Sequence, residues 1–240
     1  MESREVLGAR PLYRQVRDVL VRRIADGTWT AGQVLPSEPD LATDLGVSQG
    51  TVRKALDEMT AENLVVRRQG RGTYVARHDD ARIMFQFFKL VPDGSEPQFP
   101  ESRILKLSVC KAGADAAKRL AMPAGADTVQ IERVRSLAGR ACILERIVLP
   151  RELFPGIEAH DLPNNLYELY GAAFGVPIGR AGERLKAVAA TEEQAKPLDI
   201  VAGTPLLSVD RIAYSIDGRP VEWRMSLCRT DAAHYLSDLR

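Results

Sequence analysis

Cysteine is scarce and scattered: Cys110, Cys142 and Cys228 are the only three in 240 residues. They are odd in number, far apart and set among aliphatic neighbours, which excludes a disulfide framework and fits reduced thiols acting as small apolar side chains. Histidine is equally thin. His78, His160 and His234 stand alone, and no C-x-x-C or H-x-x-x-H spacing occurs, so neither a metal centre nor a cofactor is expected. No apolar run approaches the roughly twenty residues that span a bilayer. The opening MESREVLGARPLYRQV also lacks the apolar stretch of a secretory signal, so the expected compartment is the cytoplasm, with no membrane contact. Charge of one sign is missing too. Thirty-three Lys and Arg face thirty-two Asp and Glu, and residues 1–78 carry twelve against ten. A nucleic-acid surface must therefore come from where charges sit and not from their sum.

The length suggests two modest cores, hence two domains. Pro11 opens a helical pattern with apolar residues at Leu12, Val16, Leu20 and Ile24, ended by Gly27. The stretch LPSEPDLATDLGVSQGTVRKALDEMTAENL then reads as two short helices with a break. Ser37 followed by Asp40 is a capping-box variant, Pro39 is tolerated in a first turn, and Leu41 and Leu45 face inward. Gly46 supplies the left-handed residue of a tight turn, Val47 plugs the turn, and Ser48 caps the next helix. In that helix Val52, Ala55, Leu56 and Met59 form the buried stripe, leaving Gln49, Gly50, Arg53 and Lys54 on the outer face near its start. LVVRRQGRGTYVA follows as a hairpin with a basic tip. Helix, helix-turn-helix and basic hairpin in that order make a winged helix.

The outer face carries chemistry suited to a duplex. A helix entering the major groove presents donors near its N-terminus, where free backbone N–H groups also favour phosphate. Arg53 and Lys54 suit phosphates or guanine edges, Gln49 a base edge, and Thr51 or Ser48 phosphate oxygens, while Gly50 lets the backbone come close. Arg67, Arg68 and Arg71 extend the patch, with Gly70 and Gly72 allowing a tight turn toward the minor groove or the backbone. Any one of these arginines alone reads as ordinary surface charge. Together with two capped helices and a glycine turn they point to DNA.

Residues 11–76 resemble the winged-helix domain of GntR-family regulators, on the motifs LPSE, L-A, G-V-S, T-V-R, A-L and R-x-G-x-G-T. The resemblance implies a short palindromic operator read by a homodimer, with Ser37, Glu38, Ser48, Thr51, Arg53, Arg71 and Gly72 at the DNA. Two positions depart from the pattern: Pro39 and Gln49 stand where the family often has arginine, so operator preference does not carry over.

ARHDDAR, residues 76–82, is polar and aperiodic, which places the winged helix-turn-helix domain at 1–76, a linker at 77–82 and a second domain at 83–240. The second domain is read as α+β with a mainly antiparallel sheet. Strands are expected at 83–91, 103–111, 128–137, 141–149, 206–216 and 220–227, and helices at 113–122, 166–174 and 191–198. VQIERV and LSVDRI echo each other, each leading into a turn ending Gly-Arg, which leaves duplication and coincidence both open. Strand alternation sets Val129, Ile131, Arg133 and Arg135 on one face, and Leu207, Val209 and Arg211 repeat the pattern. Arginines continuing a core-facing row need partners. Glu145 and Glu222 on the returning strands, with Arg224, supply an internal ion-pair network, or a bound anion completes a ligand site. Tyr167 and Tyr214 are candidate cleft walls, as are residues 85–89.

The markers I-E-R-V-R, LERIVLP, NLYELY and RIAYSIDGRPVEWR are similar to those of the UTRA effector domain of the HutC-type subfamily, which implies a chorismate-lyase-like fold and a small effector such as a sugar phosphate or carboxylic acid. The function expected is a repressor released or modulated by a small anionic metabolite. An effector-independent DNA-binding dimer is the alternative. An enzyme on the lyase-like domain is the other, although no nucleophile with its base is recognisable.

Overall fold

A computed structural model describes residues 11–62, 64–76, 87–94 and 98–237. The chain divides into two compact units, Met1–Arg77 and His78–Arg240.

In the first unit, α1 (Leu12–Ala25) buries Val16, Leu20, Val21 and Ile24, while Leu12 in its first turn is exposed. Helix α2 (Glu38–Leu45) starts at Ser37, whose hydroxyl accepts from the Asp40 N–H, and it ends at Gly46 with φ 63°. A side chain at that φ would be strained, and the turn it makes is what lets the Val47 N–H bond back to the Ala42 carbonyl at 3.0 Å. Helix α3 (Gln49–Ala61) follows, capped by Ser48 through the Thr51 N–H, with Val52, Ala55, Leu56 and Met59 at most 1% exposed. Strands β1 (Val65–Arg68) and β2 (Gly72–Val75) pair as a hairpin. Residues 33–35 brace it from the side, the Leu35 N–H bonding the Thr73 carbonyl and the Val75 N–H the Gln33 carbonyl, both at 2.8 Å.

The second unit is built on six antiparallel strands in the order β4-β5-β6-β9-β8-β7. These are β4 (Glu101–Lys111), β5 (Asp127–Leu137), β6 (Arg140–Pro150), β7 (Ile178–Ala189), β8 (Pro205–Ser215) and β9 (Pro220–Cys228). One face carries Val129, Ile131, Ile147 and Leu149 and is covered by α5 (Leu166–Phe174) with Phe154 and Ile157. The other face carries α4 (Ala114–Arg119), packed near Val148 and Trp223, and α6 (Glu192–Leu198), packed near Val134, Leu206 and Leu227. A two-stranded ribbon of β3 (Leu90–Pro92) and β10 (Ala233–Tyr235) completes the unit. No helix among the described residues is long and apolar enough to cross a bilayer.

The order of the sheet is that of two strand-helix-strand-strand halves set back to back, and they match at a constant shift of 78 positions: 112 to 190, 120 to 198, 125 to 203, 133 to 211. The match extends to the backbone. Ala121 and Asp199 share a positive φ (49° and 51°), as do Gly125 and Gly203 (74° and 87°). The Ala112 N–H bonds the Ala126 carbonyl at 2.8 Å, and the Ala190 N–H bonds the Thr204 carbonyl at 2.9 Å. Such correspondence in turn geometry supports duplication over coincidence for the echo around Arg133 and Arg211.

Two expectations need correcting. Of the strand expected at 83–91, residues 83–86 lie outside the described residues, 87–89 are not strand, and only Leu90–Pro92 pairs. Strand β7 was not expected at all. Its side chains are mostly exposed and include Arg180, Arg184 and Lys186, so the apolar alternation that flags a strand is absent. Cations on an edge strand are a common guard against edge-to-edge pairing.

Candidate nucleic-acid and effector sites

The start of α3 is exposed at Ser48, Gln49, Gly50, Arg53 and Lys54. Ser48 is committed to capping, its Oγ accepting from the Thr51 N–H at 3.2 Å and lying 2.8 Å from the Thr51 hydroxyl. Lys54 rests over the Tyr13 ring of α1, with Nζ 4.3 Å from the centroid. Arg53 Nε donates to Glu38 Oε2 at 2.9 Å, and Gln49 Nε2 reaches the same oxygen at 3.4 Å. Ser37, at the cap of α2, donates its hydroxyl to Asp40 at 2.5 Å. At Gly50 an added Cβ would come no nearer than 3.9 Å to any atom beyond its chain neighbours and the helix's own backbone. Packing within the unit does not require glycine there.

In the hairpin, Gly70 (φ 68°) and Gly72 (φ 100°) adopt the left-handed turn conformations that the sequence pattern requires. Arg68 stacks 4.7 Å from the Tyr74 ring centroid, Arg71 is exposed at the tip, and the Tyr74 hydroxyl donates to the Arg71 carbonyl at 3.0 Å. Arg67 does not join the tip. It is turned toward the helices, its Nη1 2.5 Å from Asp57 and its Nη2 3.2 Å from Glu38 Oε1.

In the second unit the arginine row converges as strand parity required. Arg133, Arg135, Arg211 and Arg224 are all buried on one face of the sheet, with Glu145 and Glu222 among them. Cross-strand register sets Arg133 opposite Glu145 and Arg211 opposite Arg224. The Arg133–Glu145 distance is 2.6 Å, and Arg135 and Arg224 lie 3.7 and 3.6 Å from Glu145 Oε1. Arg224 pairs with Glu222 at 2.7 Å, and Glu222 also accepts from the Tyr167 and Tyr170 hydroxyls at 3.0 and 2.9 Å. Arg211 pairs with Glu183 of β7 at 2.5 Å and donates to the Phe87 carbonyl.

Arg135 is the exception. Its Nε donates to Ser102 Oγ at 3.2 Å and its Nη2 to the Pro100 and Asn164 carbonyls at 3.4 Å, while its plane lies 5.1 Å from each of the Phe88 and Phe99 ring centroids. Burial lowers its pKa to about 9, against the pull of Glu145 and reinforced by the like charges of Arg133 and Arg224. For Glu145 burial is outweighed: the three guanidiniums hold its carboxyl well below the usual carboxylate range. Burial and then Glu222 push Tyr167 up to about 12, so its hydroxyl is a donor.

These groups line a half-open cavity of about 50 Å³, with Phe87, Phe88, Arg133, Arg135, Glu145, Tyr167, Arg211, Arg224 and Tyr235 among its walls. Asn165 and Leu166, at the N-terminus of α5, also reach it. Glu222 sits behind the lining, fully buried. Tyr214 does not belong to the site. It is on the opposite face of β8 from Arg211, half-buried, with Arg180 stacked 3.7 Å from its ring centroid. Phe85 and Gln86 lie outside the described residues. A larger groove of about 580 Å³ occupies the other sheet face, but there Arg146 is outnumbered by Glu132 and Glu193, and no cations converge.

Residues 12–75 match the family model described as bacterial regulatory proteins, gntR family, and residues 96–234 match the UTRA domain. The HTH-type transcriptional regulator SmoD of Agrobacterium fabrum is 28% identical over 97% of this chain and 98% of its own length. The HTH-type transcriptional repressor NagR of Bacillus subtilis is 29% identical over 95% of this chain and 96% of its own. Among solved structures, the ligand-binding domain of a GntR-family transcriptional regulator from Bordetella bronchiseptica superposes with a TM-score of 0.61 at 38% identity, covering 65% of this chain and 98% of that one.

Proposed function

Because the chain belongs to the GntR family and carries a UTRA domain, we propose that it is a cytoplasmic, homodimeric repressor that binds a palindromic operator and is modulated by a small anionic metabolite. It is a DNA-binding transcription regulator with a small-molecule effector domain; the repressor sense follows relatives such as NagR.

On the DNA side, α3 enters the major groove. Arg53 and Gln49 meet base edges, Ser48, Thr51 and the Gly50 backbone approach phosphate at the helix start, and Lys54, Arg68, Gly70, Arg71 and Gly72 follow the backbone or minor groove. Ser37 and Glu38 stand behind this row. The test is Arg53→Ala, measured at fixed salt on a duplex that the wild-type protein selects from a random-sequence pool. Affinity falls about tenfold or more with unchanged melting temperature; undiminished affinity contradicts a groove-facing α3.

On the effector side, one observation carries the reading: four buried guanidiniums meet three carboxylates, Glu145, Glu183 and Glu222, leaving a positive charge in excess at Arg135. A carboxylate or phosphate seated between Arg133, Arg135 and the start of α5 neutralises it. At about 50 Å³ the cavity is small as it stands. Pockets for metabolites run to roughly several hundred Å³, so the effector opens the site. The wall that moves is the β3–β10 ribbon with Phe87 and Phe88, which covers the cavity. Effector occupancy thereby favours one conformation of the effector domain over another, which is what an effector must do to shift operator binding.

A further inference from the structure

The geometry points to Glu38 as the positioning residue that sets Arg53 to read guanine, an inference that rests on α3 lying in the major groove. A carboxylate at a DNA surface opposes the phosphates, so its presence at the first position of α2 needs a reason. Glu38 does not face outward as a base reader would. Its side chain is 21% exposed, against 57% for Arg53. Both of its oxygens are taken by donors from two other elements: Oε2 by Arg53 and Gln49 of α3, and Oε1 by Arg67 of the hairpin.

What this leaves on Arg53 is informative. Glu38 holds Nε, the inner edge of the guanidinium, at 2.9 Å. Nη1 and Nη2 have no partner among the described residues and project with the exposed end of the side chain. Two parallel N–H groups are what the O6 and N7 acceptors of guanine require. A guanidinium with its inner edge anchored has its plane fixed before the base arrives, so less freedom is lost on binding. Glu38 is itself fixed from the far side, since Arg67 also reaches Asp57 at 2.5 Å and the Arg53 carbonyl at 3.5 Å. The start of α2, the start of α3 and strand β1 of the wing thus meet on one carboxylate, and the two side chains best suited to base edges, Gln49 and Arg53, share one of its oxygens.

The alternative is that Glu38 only ties α2 to the hairpin, and stability alone cannot distinguish the two. The experiment takes the full chain, lets it select a duplex from a random-sequence pool, and measures affinity at fixed salt for that duplex and for versions in which each guanine is replaced in turn. Wild type, Glu38→Gln, Arg53→Ala and the double variant are compared, each with its melting temperature. Glu38→Gln is expected to lower the preference for one guanine per half-site about tenfold, the scale of a bidentate arginine–guanine contact. Its affinity for non-specific DNA is unchanged or tighter, because a negative charge near the phosphates is gone. In the Arg53→Ala background it has no further effect on preference. A Glu38→Gln protein that melts lower but keeps full guanine preference overturns the inference. So does an equal loss of preference in the Arg53→Ala background, which would put Glu38 on a base. If Arg53→Ala binds the selected duplex as wild type does, the groove reading of α3 fails and this inference with it. Should Glu38→Gln not fold, Glu38→Asp, which draws the carboxylate back by one methylene, is read in the same way.

Discussion

Glu145 is the residue on which the buried cluster depends. It lies within 4 Å of three guanidiniums and is almost fully buried. Replacing it by glutamine keeps the shape and leaves those charges uncompensated, at a cost on the order of 3 kcal/mol or more in stability. Its carboxyl titrates below the usual carboxylate range in the folded state. A depressed folded value means the stabilisation is present in full above the unfolded pKa and is lost as pH falls below it. Denaturant unfolding should therefore separate Glu145→Gln from wild type widely at pH 7, with the gap narrowing as pH drops below about 4.5. A gap that stays constant would mean that charge is not what Glu145 contributes. At this scale the sequence was informative wherever parity ruled: the row Ile131, Arg133, Arg135 and its echo at Arg211 were correctly turned inward, and Glu145 and Glu222 are their partners. Tyr214 failed by the same rule, being an odd number of residues from Arg211 and so on the opposite face. The Arg67–Glu38 pairing was hidden because its partners lie 29 positions apart and meet only through the fold.

The reading helix depends on its cap. Ser48 supplies the one side-chain acceptor at the start of α3, and the same turn is pinned by Gly46. Ser48→Ala should cost the first unit about 1 kcal/mol and weaken operator binding, because the loosened first turn carries Gln49 and Arg53. Thermal melting together with a binding titration checks this, and an unchanged melting curve would mean that Ser48 acts only on the DNA. Elements with strong local signals were legible: the α3 cap and stripe, the basic hairpin, and α5 at Leu166–Phe174. Strand β7 was not, since an exposed edge strand has no apolar face to betray it. Nor was the short β10, whose partner β3 lies at the opposite end of the unit's sequence.

Across the whole molecule, one unit offers a helix and a hairpin suited to a duplex, and the other a duplicated sheet with its cations gathered between the halves. The repeat explains that gathering. Arg133 and Arg211 hold equivalent places, but their cross-strand partners differ, glutamate in one half and arginine in the other. For the effector domain to govern the reading helix, the excess cation at Arg135 must receive an anion that controls DNA binding. The direct measurement is a melting and operator-release titration of wild type and Arg135→Ala against a panel of phosphorylated sugars, carboxylic acids and their neutral counterparts. The expected result is that an anionic compound raises the melting temperature of the wild type by mass action and releases the selected duplex, that its neutral counterpart does neither, and that Arg135→Ala responds to neither. A neutral compound that stabilises and releases both proteins alike would contradict it.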